Sequence, residues 1–260
     1  MKEAFIILYK ASSIESCTIQ ASDAELGKVK DLYFDSKQWT VRYVVIDTRK
    51  WLPGKKVLIS PIAVNNVDLL NSNIDVLATE EQVSNSPSVE EHQPVSRQLE
   101  SEINRYYGWF PYWTGTGVWG DGVHPRQMAP TTENLGDENR IEVEDKHNEY
   151  LRSMNELKGN LSGYTIQAQD KEVGHVVDFV IDDEAWAIHY LIVDTGNWLP
   201  GTKVLLEPDS ITEIDWVTKK VYVNLPSDEI ERRSAQTVDN NDVRNMEGVS
   251  IEDIWKRRIS

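Results

Sequence analysis

The sequence predicts a mostly β protein with minor helix: two small β-barrels in tandem, joined by a partly helical, aromatic-rich connector. Three observations carry this. The chain contains itself twice, since over residues 18–64, without a gap, 22 of 47 positions are identical to those 147 residues further on. Each copy is a series of short strand-like runs separated by turn residues, the pattern of a small barrel. The sequence between the copies differs from both, being polar, then helical, then dense in aromatic residues.

Taken in order, the chain opens on the apolar run of residues 4–9. It is far shorter than the ~20 residues a membrane helix needs and lacks a small-residue cleavage pattern, so it reads as a buried strand. Residues 1–15 form an N-terminal extension and residues 16–84 the first barrel. Residues 27–34 alternate with the strand period, and residues 41–46 are β-branched and aromatic with little polarity on either face, which predicts a central strand. Turn residues 35–38 make the two a hairpin. Gly27 and its counterpart Gly174 stand inside strands, where glycine marks a bulge or a barrel corner. Pro53-Gly54 fits the centre of a type II turn, with Pro presetting φ and Gly accepting φ > 0.

Residues 85–156 form the connector: a polar linker over 85–94, then a helix from Ser96 to Tyr107 with Ser96 as cap and Leu99, Ile103, Tyr106 and Tyr107 as its apolar stripe. The uncharged run of residues 106–113 follows, a density of aromatic surface rarely left in water. Residues 131–149 are acidic and polar, and a second helix is expected from about Asp145 toward Leu157. The second barrel takes residues 157–230. In the tail, residues 231–260, Ile251, Ile254 and Trp255 mark one face of a short helix opening near Ser250, with Glu252 and Asp253 in its first turn.

The run Ala21, Asp23, Glu25, Gly27, Val29 and Asp31 in alternation, then Trp39 with residues 43–48, then residues 51–61, resembles a PRC-barrel domain, and the second copy matches at least as well. The connector's Pro94-Val95-Ser96-Arg97 and Tyr106-Tyr107-Gly108-Trp109 with Pro111-Tyr112-Trp113 resembles the follow-on region of tandem bacterial members. The resemblance covers most of residues 16–113 and 157–230. It implies protein docking, the role of such barrels in the cytoplasmic domain of the photosynthetic reaction centre H subunit and in a ribosome maturation factor, and it brings no catalytic residues with it. A peripheral role akin to that of the H subunit is a second implication.

Chemistry read from the residues agrees. With 27 Lys and Arg against 43 Asp and Glu, the net charge is −16, which opposes binding to a phosphate backbone. Cys17 is the only cysteine, so no intrachain disulfide can form. The five histidines make no metal-type pair. His175 and His189 replace Lys28 and Arg42 of the first copy, which suggests exposed strand faces. Asp31, Asp35 and Asp47 recur as Asp178, Asp182 and Asp194; the pattern favours turn bonds and strand caps over acid–base chemistry. Gly115, Gly117 and Gly120 match a dinucleotide fingerprint by letters alone.

The sequence therefore predicts a non-enzymatic interaction module: no catalytic residue, no metal, no cofactor, no nucleic acid, no integral membrane segment, an unidentified protein partner, a cytoplasmic location, and compatibility with a homodimer. Its candidate surface is Trp51, Leu52 and Pro53, their counterparts Trp198, Leu199 and Pro200, and Trp109, Tyr112 and Trp113 of the connector. The competing expectation is a ligand-binding or hydrolytic cleft walled by those connector aromatics and nearby carboxylates.

Overall fold

The computed structural model describes residues 6–47, 53–90, 94–129, 151–159, 163–196 and 203–234. The first part of the chain runs β1 (Leu8–Lys10), α1 (Ala11–Glu15), β2 (Thr18–Gln20), β3 (Glu25–Asp35), β4 (Thr40–Ile46), β5 (Lys55–Ile59), β6 (Val64–Asp68), β7 (Asn73–Val76), α2 (Glu80–Ser84), β8 (Val89–Glu90) and α3 (Arg97–Tyr107). The second part runs β9 (Leu151–Ser153), α4 (Met154–Lys158), β10 (Thr165–Gln167), β11 (Glu172–Asp182), β12 (Ile188–Asp194), β13 (Lys203–Leu206), β14 (Ile211–Asp215), β15 (Lys220–Val223) and α5 (Ser227–Ser234). Two compact units emerge: Ser13–Arg152, and Met1–Ser12 together with Ser153–Ser260.

The unit of the first copy has strand order β6-β7-β2-β3-β4-β5-β8. β4 is buried along its whole length, as its β-branched run dictates. It pairs antiparallel with β3, and the intervening turn is closed by Trp39 in the left-handed region, at φ 49. Trp186 repeats this at φ 57. β2 runs parallel to β7, which returns the chain to the start of the sheet. The second copy repeats the order as β13-β12-β11-β10-β15-β14. In neither unit do the ladders among the described residues close on themselves, so the expected barrels are not closed by hydrogen bonds.

Gly27 adjoins an irregularity in its sheet. Ile19 pairs with Gly27 but Gln20 with Glu25, so Leu26 is the extra residue of a bulge. The same shift occurs between Ile166/Gly174 and Gln167/Glu172. Gly27 has φ 131 and Gly174 φ 144, and a Cβ there would stand 3.0 Å from the Asp47 carbonyl oxygen and 2.2 Å from that of Asp194. Gly174→Ala is expected to cost about 3 kcal/mol and Gly27→Ala about 1 kcal/mol, strain and close approach adding at the first. Urea unfolding of the two variants side by side checks the order; equal midpoints would contradict it.

The divergence from expectation lies in the strands that precede each copy. β1 was expected as a buried strand within an N-terminal extension, assigned to neither barrel. It pairs instead with β11 of the second copy, Leu8 opposite Asp182 and Lys10 opposite Val180. β9, which precedes the second copy, pairs with β3 of the first. The two leading segments are equivalent: each is a three-residue strand running straight into a five-residue helix. Leu8 and Leu151, Ala11 and Met154, Ile14 and Leu157 are buried in matching places. Each unit is thus completed by the strand that introduces the other, an exchange inside one chain. The second copy's β1 seat is reinforced by Ile7 N–H donating to Asp183 Oδ1 at 2.8 Å and by Ser12, whose N–H and Oγ donate to the Asp178 carboxylate at 3.1 and 2.5 Å.

Met1–Ser12, within the expected N-terminal extension of residues 1–15, group with the second copy. Two smaller differences follow from pairing. The expected linker contains β8, because Lys55 and Lys56 of β5 offer an edge to Glu90 and Val89. The helix expected toward Leu157 is preceded by β9 and shortened to α4, its first part lying outside the described residues. The expected tail helix near Ser250 also lies outside them. No helix among the described residues is long and apolar enough to cross a membrane.

Candidate functional site

The connector is built from its caps inward. Ser96 Oγ accepts the Leu99 N–H at 3.1 Å, and Gly108, at φ 71, ends α3 so that Trp109 N–H reaches the Asn104 carbonyl at 2.8 Å. The expected stripe then docks: Leu99 and Ile103, with Val95, cover Tyr43, Val45 and Leu58 of the first sheet, joined by Leu151. Tyr107 and Trp109 stack at 4.3 Å with planes 10° apart.

Beneath the stripe sits a buried cluster of charges and rings. Glu100 is fully buried. Its Oε1 accepts the Tyr112 hydroxyl proton at 2.7 Å, and its Oε2 lies 3.1 Å from Arg97, which also donates to the Tyr112 oxygen at 3.1 Å. Arg42, likewise fully buried, lies against the Tyr112 ring at 3.9 Å and the Trp119 ring at 4.6 Å, while Arg97 lies over Trp113 at 4.1 Å. Arg42 donates to Gln38 and sits 3.7 Å from Asp35; its Nε and Nη1 have no hydrogen-bond partner among the described residues.

Burial lowers the pKa of the Arg42 guanidinium below its usual value, against the pull of Tyr112, Asp35 and Glu100. Burial, then the Glu100 charge, pushes the Tyr112 and Tyr43 hydroxyls well above the ordinary phenol range, so both stay protonated and able to donate. At Arg97 burial works the other way but Glu100 and Tyr112 outweigh it, and its affinity for the proton rises.

These positions correct two expectations. Arg42 was read as a cation on an exposed strand face; the connector covers it, and only Lys28 of that pair of positions is exposed. Tyr112 was read as surface; it is 4% exposed and belongs to the cluster, while Trp109 and Trp113 are half-buried beside it. Tyr112 and Trp119 pack against Arg42, and Trp113 against Arg97. Pro53 is exposed at its turn, with Gly54 at φ 79 as expected, and Trp51, Leu52, Trp198, Leu199 and Pro200 lie outside the described residues.

Of the duplicated carboxylates, Asp35, Asp182 and Asp194 hold turns. Asp35 Oδ1 accepts the N–H groups of Lys37 and Gln38 at 2.8 and 3.2 Å. Asp182 accepts those of Glu184, Ala185 and Ala187 and bonds His189 Nε2 at 2.9 Å, so the histidine stands at the position equivalent to Arg42, on the carboxylate equivalent to Asp35. Asp194 Oδ1 accepts the Gly196 N–H at 2.8 Å. Among the described residues no group of three His, Cys, Asp or Glu is placed to hold a metal.

One surface feature escaped the sequence reading. Each copy ends on a hairpin whose tip projects an apolar side chain: Leu70 between β6 and β7 is 90% exposed, and Val217, 147 positions on, is 92% exposed. Both tips are rigidly built. Asp68 Oδ1 accepts the Asn71 N–H at 3.1 Å, and Asp215 Oδ1 accepts those of Val217 and Thr218 at 2.9 and 3.0 Å. Side-chain hydrogen bonds from Asn71 and Thr218, and then these backbone bonds, hold the Asp68 and Asp215 carboxyls below the usual aspartate range. Ser72 and Lys219 complete the turns at φ 52 and 55. The signal was available in the matched Asp68 and Asp215, each two residues before an apolar side chain in a polar turn. The family model of the PRC-barrel domain matches residues 7–83 and 157–230. No curated protein matches the chain.

Proposed function

The chain belongs to the PRC-barrel domain family, and from that premise we propose that it is a non-catalytic docking module for another protein. The observation that carries the reading is the pair of hairpin tips. A single exposed apolar residue is ordinary. Two at equivalent places, each on a turn fixed by an aspartate, form a surface repeated with the domain. Rigid presentation lowers the ordering cost of binding. The use of the buried charges in packing and turn closure favours the same reading over hydrolysis, since Glu100, Asp35 and Asp182 are each engaged with protein groups.

Affinity capture from a native lysate with the full chain is expected to recover a defined protein, and Leu70→Asp with Val217→Asp to cut that recovery at least about tenfold, a hot-spot effect. Circular dichroism and the unfolding midpoint should stay unchanged, because both side chains already face water. Capture of nothing at micromolar protein, or equal capture by the double variant, would refute the proposal.

A further inference from the structure

Both copies end their sheet on the same strand, and an arginine covers that edge in the first. β6 is last in one sheet and β14 in the other. Leu77 N–H donates to the Ala63 carbonyl at 2.9 Å, and Asn224 N–H to that of Ser210 at 2.8 Å. Val64 opposite Val76, and Ile211 opposite Val223, therefore form non-hydrogen-bonded pairs, and their carbonyls face away from the ladder. The same bulge follows in both copies, at Asn65 and at Thr212. In the first copy the connector closes this edge. Its turn Pro125–Met128 packs against the turn Pro61–Ala63. Arg126 Nη2 donates to the Val64 and Asn65 carbonyls at 3.1 and 2.8 Å and to Asn65 Oδ1 at 3.0 Å.

Among the described residues the second copy has no side chain on the matching carbonyls of Ile211 and Thr212. Burial follows. Pro61, Ile62 and Val64 are buried, whereas Pro208 and Ile211 are half-buried and Asp209 is exposed. The edge has also become acidic, with Asp209 in the place of Ile62 and Glu213 in that of Asn66, both exposed. We propose that the β14 edge is a docking seat for an arginine-bearing turn of a partner protein. The guanidinium donates to the Ile211 and Thr212 carbonyls as Arg126 does to those of Val64 and Asn65. The first copy supplies the chemistry of the occupant, and the two added carboxylates flanking the carbonyls in sequence favour a cationic one. Ile211 and Thr212 are not the hairpin tips of the docking reading, so the two readings fail independently.

A free peptide of residues 122–129 is the probe, because the turn is held from within that segment: Gln127 Oε1 accepts the Val123 and His124 N–H groups at 2.7 and 3.1 Å. Added at millimolar concentration to the isotope-labelled full chain, it is expected to shift the backbone NMR signals of Ser210–Ile214. The peptide with Arg126→Gln should bind at least about fivefold more weakly, the loss of exposed charge pairs. The parent peptide should lose as much against a chain carrying Asp209→Asn and Glu213→Gln, whose side chains face water and whose unfolding midpoint should hold. Unmoved signals at Ser210–Ile214 would overturn the proposal, as would equal binding by the Gln peptide or by the double variant. Signals that move on raising the chain concentration without peptide would give the seat to a second copy and overturn it too.

Discussion

Replacing Glu100 with leucine is expected to destabilise the first unit by about 3–5 kcal/mol, the cost of breaking a buried ion pair from one side. The magnitude follows from what the carboxylate holds. Fully buried, it accepts the Tyr112 hydroxyl and pairs with Arg97, and without it both lose this partner, Arg97 keeping its bond to the Tyr112 oxygen. The Tyr112 ring that flanks Arg42 would lose an anchor, because that hydrogen bond places it. Glu100→Gln keeps the shape and one acceptor oxygen and should cost less, about 1–3 kcal/mol. A double-mutant cycle with Arg97→Leu should recover part of the loss, since it removes the stranded charge. Urea unfolding monitored in the full chain measures all four. A Glu100→Leu chain with the parent's midpoint would show that the cluster contributes nothing to stability.

Leu8→Ala should loosen the second copy and Leu151→Ala the first, each by about 2–5 kcal/mol, the range for a buried leucine emptied to a methyl. The crossing is the point. Leu8 precedes the first copy in sequence but packs on Val180 and Ile192, and Leu151 precedes the second but packs on Tyr43 and Leu58. Residue-resolved hydrogen exchange should therefore show β11 and β12 opening in the Leu8 variant while β3 and β4 hold, and the reverse for Leu151. Uncrossed effects, each leucine loosening its sequence neighbour, would refute the exchange.

Much of the fold was legible because its signals are local. The hairpin of β3 and β4, the Pro53-Gly54 turn, the Gly27 bulge and the Ser96 cap each declare themselves within a few residues, and the 147-residue repeat printed the first three twice. The carboxylates read as turn residues proved to hold turns at Asp35 and Asp182. The candidate surface was less legible. Tyr112 looks the same in sequence whether its ring faces water or a buried arginine. Leu70 and Val217 were passed over because one apolar letter in a polar turn carries no periodicity.

By itself the sequence determined that one unit occurs twice, where its strands and turns fall, and that the connector's helix has an apolar stripe. Only the tertiary structure decided which sheet each leading strand completes, and that Arg42 and Glu100 lie inside. The physical reason is degeneracy. Leu8 and Leu151 could satisfy either copy, because a duplicated domain offers the same sheet edge and the same apolar face twice. Pattern and propensity are blind to that choice, and the path of the chain through space makes it.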